Sequence, residues 1–380
     1  MYKGFGKWHW DYIFSRLLIL FENALKEYKE MYIREANPGD NESLQNLQAR
    51  CPMGASLIVS QVNTPDFFAR AKAYENHNVY VACDHNQIIG SAASAIREAI
   101  INGGLKRIGY EFQYFTSPDY RKKGVAAMLH RHIEDYFNRE EVALSFLVIM
   151  EGNKPSIRLF ESQGFKLHRT LVMPTVFSYK AIETPSVGQM RPINPQDMAA
   201  VAELLNDTWK GYDFYEPYSA ESLAQLIDRT PAFTFNDFIV LGDRGKIVAC
   251  LGAWDWSQIT KLTVKALSFR LRMITLIIDF ASLFRPMPRS VKPGTTLKQR
   301  CLTLIGFKAP EHLATLFRYM NNLAMKRGID QIFCVCEQGH EILNALKGLF
   351  HINVGVHLYV KSFEGELVAK NRVFLNGIDL

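Results

Sequence analysis

An internal repeat constrains this chain more than any other feature. The stretch Tyr32-Ile33-Arg34-Glu35-Ala36-Asn37-Pro38-Gly39-Asp40 recurs as Gln189-Met190-Arg191-Pro192-Ile193-Asn194-Pro195-Gln196-Asp197, with Arg, Asn, Pro and Asp at one common offset. Each copy runs from a short apolar stretch into a turn and then into an amphipathic segment, starting near Ser43 and Asp197. That order predicts strand, N-cap and helix. A second match sets residues 79–90 beside 238–249, each a β-rich run, a polar turn and another β-rich run, which predicts a hairpin. A third, weaker match sets a helix over 125–138 and a strand over 144–149 beside a helix over 313–326 and a strand over 331–335. Three matches in one order predict two copies of a single α/β (α+β) unit, a sheet flanked by helices.

The repeat divides the 380 residues into an extension over 1–30, a first copy over 31–180, a linker over 179–187 and a second copy over 188–380. Residues 11–29 read as a helix with an apolar stripe that includes Leu17, Phe21 and Leu25. In the second copy, residues 256–285 read as an inserted amphipathic helix followed by a basic turn at 286–294. The expectation for this stretch is packing against the partner domain rather than a membrane surface, because apolar helix faces are usually core.

Composition narrows the function. With 48% hydrophobic and 22% charged residues, long disorder is excluded. A net charge of +6 favours anionic ligands, and no basic-aromatic stripe points to nucleic acid. The six cysteines (51, 83, 250, 301, 334 and 336) have neither CxxC nor zinc spacing. The expectation is reduced, buried thiols and no metal. Residues 1–10 lack a signal-peptide core, and the longest apolar run, 273–284, contains Asp279 and is too short to span a bilayer. The expected location is the cytoplasm.

The most informative segment is 110–129. A β-rich run ends at Thr116, a Ser117-Pro118-Asp119 turn follows, and a basic loop (Arg121, Lys122, Lys123, Gly124) opens an amphipathic helix. Strand, basic loop and helix suit a phosphate: first-turn N–H groups and the helix dipole favour an anion, and Gly124 permits close approach. Small Ala126 leaves room beside it.

Arg121-Lys122-Lys123-Gly124-Val125-Ala126 resembles the R/Q-x-x-G-x-G/A loop of the GCN5-related N-acetyltransferase superfamily. Asn153-Lys154-Pro155-Ser156-Ile157-Arg158-Leu159-Phe160-Glu161-Ser162-Gln163-Gly164-Phe165 resembles a second segment of that superfamily, in the expected order downstream. The resemblance covers nearly all of the first copy and reaches the second only through the repeat. It implies a mixed, twisted sheet whose fourth and fifth strands splay apart around acetyl-CoA. The pyrophosphate would sit on Arg121, Lys122, Lys123, Gly124, Val125 and Ala126, and the pantetheine arm along Tyr114, Phe115 and Thr116. Asn153 and Ser156 would lie near the same arm.

The resemblance also implies direct attack of an amine on the thioester in a ternary complex, with a backbone N–H near Thr116 receiving the oxyanion. Glu111 is the candidate base, and a one-residue change of register would put Tyr110 in its place. Strand alternation sets Glu111, Gln113 and Phe115 on one face and Tyr110, Phe112 and Tyr114 on the other. Phe160 stands where many members carry an acidic tyrosine. The second copy departs further. The repeat sets Ala309-Pro310-Glu311-His312-Leu313-Ala314 opposite residues 121–126, without glycine and with an acid. It reads as a degenerate domain that helps wall the acceptor site, with residues 209–216 as candidate lining. The expected acceptor is a small-molecule, peptide or protein amine. The expected state is a monomeric tandem pseudo-dimer or a homodimer, with neither nucleic acid nor membrane as partner. The competing reading is a non-catalytic acyl-CoA-binding or sensing protein.

Overall fold

The computed structural model describes residues 31–185, 188–365 and 369–380. The helix expected over 11–29 lies outside them. The first half contains β1 (Met31–Glu35), α1 (Asn41–Ala49), β2 (Leu57–Asn63), β3 (Asn76–Asp84), β4 (Gln87–Ile101), β5 (Gly104–Thr116), α2 (Val125–Arg139), β6 (Leu144–Met150), α3 (Lys154–Ser162) and β7 (Lys166–Phe177). The second begins with β8 (Gln189–Pro192), α4 (Met198–Thr208), α5 (Ala220–Arg229), β9 (Phe238–Asp243) and β10 (Lys246–Asp255). An insertion follows, with β11 (Thr260–Leu267), α6 (Phe269–Ser282) and β12 (Thr296–Leu297). The chain then completes β13 (Gln299–Phe307), α7 (Pro310–Lys326), β14 (Gln331–Phe333), β15 (Cys336–Glu337), α8 (Glu341–Ala345) and β16 (His351–Ser362).

The repeated motif folds the same way twice. Asn37 caps the turn before α1 by accepting the Gly39 N–H, and Asp40 accepts the Asn37 N–H. Asn194 and Asp197 do the same before α4. Arg34 grips Asp40 with both terminal nitrogens at 2.7 and 2.8 Å, and Arg191 grips Asp197 at 2.6 and 2.8 Å. In each pair the guanidinium's hydrogen bond holds the carboxyl below its ordinary value. The two predicted hairpins are β3–β4 and β9–β10.

One sheet runs through both halves, in the order β1-β3-β4-β5-β6-β16-β7-β14-β13-β10-β9-β8, with β15 beside β7. Neighbours are antiparallel except β5–β6 and β13–β14. The centre is an exchange. β16, from the end of the chain, sits between β6 and β7 of the first half, and β7 in turn pairs with β14 of the second. Each half thereby covers a strand edge the other would leave unpaired, and a local pseudo-twofold axis passes between β7 and β16.

Helix α2 is fixed by four side chains at one helical spacing, Val125, Leu129, Ile133 and Phe137, all buried against Tyr80, Ile89 and Ile96. Each such burial stabilises by about 1.5–3 kcal/mol. Gly109 lets the helix settle: a Cβ there would stand 2.5 Å from the Phe137 ring. The helix start is thus aimed at the end of β5.

The insertion differs from the expected single helix. Its first third is strand β11, which pairs with β2 of the first half and with β12. Val264, Leu267 and Leu297 bury together at this small sheet. Helix α6 is not enclosed by the other domain: Thr275 is its one buried residue, and Leu271 near its start joins Leu57 and Val59 on the Val264–Leu267–Leu297 cluster. Among the described residues no helix is long and apolar enough to cross a membrane.

Candidate active site

Strands β5 and β6 pair only where Ile108, Gly109 and Tyr110 face Leu144, Ser145 and Phe146. Beyond Tyr110 they diverge and leave a wedge-shaped cleft along residues 111–116. A bulge accompanies the divergence. The β4–β5 register slips between Ser91 and Ala93, and Gln113 takes φ +54°. One extra residue reverses the alternation that follows it. Glu111 and Tyr114 therefore share a face, and Tyr110, Phe112 and Phe115 lie apart from them, which corrects the strict alternation expected from sequence. The phenol of Tyr114 bonds Glu111 Oε2 at 2.5 Å. Tyr110 and Phe112 stack at 4.8 Å.

Both candidate bases are held by neighbours. Glu111 is buried, and its Oε2 also meets His130 Nδ1 of α2 at 3.0 Å. The remaining imidazole nitrogen lies 3.5 Å from Glu134, which pairs with Lys361 of β16 at 2.6 Å. Tyr110 donates to the Asp379 carbonyl at 2.6 Å and accepts from Arg70 at 2.8 Å, and burial pushes its phenol up to about 12. Burial, then the adjacent Glu111 carboxylate, likewise keep the Tyr114 phenol well above its usual range.

At the mouth of the cleft, residues 117–124 join β5 to α2. Tyr120 anchors this loop on Asp84 at 2.6 Å, and Asp119 pairs with Arg50 at 2.5 Å. Gly124 is the N-cap at φ +80°, a conformation costly for any residue with a Cβ. No side chain caps α2 and no acid lies in its first turn, so the orphan N–H groups and the positive dipole end remain available to an anion. Arg121, Lys122 and Lys123 are exposed around it. These features fit a pyrophosphate. Asn153 caps α3 through the Ser156 N–H at 3.4 Å. Phe160 is buried, its ring 5.0 Å from that of Tyr114. Cys51 reaches the Thr116 carbonyl at 3.2 Å, and burial keeps it a thiol.

The second half builds the same wedge and then fills it. β13 and β14 pair only over Gln299, Arg300 and Cys301, and the β10–β13 register slips between Cys250 and Gly252, with Leu304 at φ +50° repeating the bulge. Here Trp209 donates to the Ile305 carbonyl at 2.7 Å, and Thr208 accepts the Phe307 N–H at 3.0 Å. The end of the chain completes the filling: Cys301 donates to the Gly377 carbonyl at 3.1 Å, and Thr303 bonds Asn376. Two residues, Lys308 and Ala309, then lead directly into α7. Ala309 is the N-cap and Pro310 the first helical residue, so Pro310 matches Val125 rather than Lys122. The phosphate loop is therefore shortened away. His312 is half-buried. His340 caps α8, stacks on Trp209 at 5.1 Å, and is lowered by burial to about 4.

The same C-terminal residues reach the first half. Asp379 pairs with Arg97 at 3.0 Å, and Tyr74 donates to the Ile378 carbonyl at 2.9 Å. They border a cavity of about 350 Å³ between the halves, lined also by Glu216, Tyr218 and Arg229. Burial raises the Glu216 carboxyl. Of residues 209–216, Glu216 faces this cavity, while Asp213 pins the Asn102 N–H at 2.7 Å. The role of the chain end has no motif behind it.

Residues 41–165 match the family model described as Acetyltransferase (GNAT) family. No curated protein matches the sequence. Among solved structures, N-myristoyltransferase of Saccharomyces cerevisiae with bound myristoyl-CoA aligns with TM-score 0.62 at 12% identity, over 92% of this chain and 83% of that one. A GCN5-related glucosamine N-acetyltransferase region of a fungal multi-domain GH3 β-N-acetylglucosaminidase aligns with TM-score 0.56 at 13% identity, over 87% and 38%. A GCN5-related N-acetyltransferase from Anabaena variabilis aligns with TM-score 0.52 at 12% identity, over 87% and 72%. At these identities the likeness is one of fold.

Proposed function

From the premise that residues 41–165 belong to the GNAT acetyltransferase family, we propose that this chain is a cytoplasmic N-acyltransferase that moves an acetyl group from acetyl-CoA to an amine. The observation that carries the reading is the open wedge of β5 and β6 ending at an uncapped helix start with basic residues around it. Arg121, Lys122, Lys123 and the N–H groups of Gly124, Val125 and Ala126 would hold the pyrophosphate. Tyr114, Phe115 and Thr116 would offer main-chain groups to the pantetheine arm, with Asn153 and Ser156 beside it. The first half, 31–180, would carry the chemistry. The second, 188–380, would wall the acceptor site with its filled cleft. The chain would work as a monomer, its halves already paired through the exchanged strands. The six free, buried cysteines support a reducing location.

Transfer needs the amine to attack the thioester carbon, the C–S bond to break, and the proton lost by the attacking nitrogen to replace the one given to the leaving thiolate, directly or through water. Cys51, kept as a thiol, is a poor relay for the acyl group, which favours direct attack. Phe160 has no proton to donate, and the ring of Tyr114 packs edge-on against it at 5.0 Å. We assign the proton to Tyr114. Glu111 then acts through the phenol as a positioning residue, rather than as the base first expected, since it is enclosed by Tyr114 and His130.

Release of free thiol from acetyl- through myristoyl-CoA, with a panel of amines, tests the reading. Tyr114→Phe lowers kcat about 10- to 100-fold with little change in KM. Acyl-CoA binding without transfer to any acceptor sinks the enzyme reading and leaves the acyl-CoA-binding or sensing one, which Phe160 favours. Acyl-CoA that leaves Tm unchanged overturns both.

A further inference from the structure

Among the described residues, helix α6 presents an apolar face to solvent. Phe269, Leu276, Ile277, Phe280, Leu283 and Phe284 are each 59–79% exposed and follow helical spacing along one side. This is the helix and its continuation, not scattered surface leucines, and a contiguous exposed apolar patch of this kind marks an interaction site.

The surroundings identify the partner. Between residues 256 and 300 the chain carries nine Lys or Arg and one acid, Asp279. That acid is neutralised by Lys292 at 2.8 Å. Of these, Arg300 is buried against Asp237 and Asp255 and Arg289 meets Asp330 at 3.4 Å, so the charge left on the helix and its continuation is that of Arg270, Arg272 and Arg285. Arg270, Arg272, Arg285 and Arg289 are exposed beside the apolar face. A second copy docked there symmetrically would bring like charges together. An anionic lipid surface satisfies both features: apolar side chains enter the acyl boundary while Arg and Lys meet the headgroups. With 14 residues the helix is about 21 Å long, too short for a hydrocarbon core of about 30 Å. It can lie in the interface but not span it.

The base is firm enough for such a contact. Ser268 caps the helix through the Leu271 N–H, its own N–H bonds the Ser56 carbonyl at 2.7 Å, and Arg272 donates to the Leu267 carbonyl. Ser56 follows Cys51 by five residues, and Cys51 touches Thr116 at the end of β5. The base of α6 is thereby tied to the first half at Ser56.

We propose that α6 docks this protein on anionic membranes, lying in the plane of the interface, in place of the membrane-free state expected from sequence. The test is flotation of the full chain with vesicles of phosphatidylcholine containing about 30% phosphatidylserine, and with phosphatidylcholine alone. The expected result is binding to the anionic vesicles, weaker binding to the neutral ones, and loss with rising salt. Ile277→Glu/Phe280→Glu lowers binding more than tenfold with an unchanged melting curve, since both side chains are solvent-exposed. Arg270→Glu/Arg285→Glu selectively removes the preference for anionic vesicles. A wild type that floats with neither vesicle, or an Ile277→Glu/Phe280→Glu variant that floats as well as the wild type, overturns the proposal. So does a wild type that ignores vesicles but sediments as a dimer dissolved by those substitutions, which assigns the face to a second copy. Binding that appears only after removal of residues 1–30 assigns it to that segment and equally overturns the proposal.

Discussion

The two halves share a sheet plan, a bulge and a splayed strand pair, yet only one keeps a long basic connection from strand to helix. In the first, eight residues separate β5 from α2 and end in a left-handed glycine. In the second, two residues separate β13 from α7 and end in Ala-Pro. The difference teaches that a GNAT-like wedge is a property of strand geometry, whereas an anion site is a property of the connection. Where the connection is short, the chain's own Trp209 and residues 373–379 occupy the space.

That comparison can be broken at its largest contact. Trp209→Ala removes a buried indole stacked on His340 and packed at a tilt against Phe374, and should cost about 3–5 kcal/mol in urea unfolding. It should add no acyl-CoA affinity, because the loop is still missing. A gain in affinity would mean that the filling alone silences the second half. Next comes Asp379→Ala. It strands Arg97 in a buried site and should destabilise by about 3 kcal/mol, whereas Asp379→Asn should cost less.

The pH dependence is a smaller effect and belongs to the second half. His340 is lowered to about 4 by burial, against an unfolded value near 6.5. The unfolded chain therefore binds the extra proton first. Stability from this group is complete above about pH 6.5 and is lost as pH falls toward 4, by about 2 kcal/mol after allowance for residual solvent. His340→Asn, which retains a capping acceptor, should flatten Tm between pH 6.5 and 4. An unchanged slope would assign the effect elsewhere. Smallest is Gly124→Leu. Its φ of +80° disfavours a side chain, so we expect about 1–2 kcal/mol of strain and roughly tenfold weaker acyl-CoA binding by calorimetry. Ala309→Leu, its counterpart, should leave binding unchanged.

Much of this was legible because its signals are local. The paired Asn-Pro-x-Asp turns are read from a few adjacent residues, and each folds as the same capped turn with the same Arg grip. Residues 121–126 were legible for the same reason. Other features left no local mark. Gln113 and Leu304 adopt left-handed backbone without being glycine, so nothing in their residue type signals that alternation reverses there. Residues 256–285 carry an apolar pattern long enough for one helix, but β2, distant in sequence, claims the first third as a strand. Glu111 is a carboxylate at the position a base would take, yet α2 brings His130 over it.

By itself the sequence determined that two α/β copies exist, where their caps and hairpins fall, and which copy has a loop suited to phosphate. These are consequences of side-chain period, turn chemistry and charge within a few residues. Only the tertiary structure decided that β7 and β16 change places, that the chain end closes the second cleft and braces the first, and that α6 faces outward. Those outcomes depend on which distant strand edges and apolar surfaces meet, and no window along the chain contains both partners.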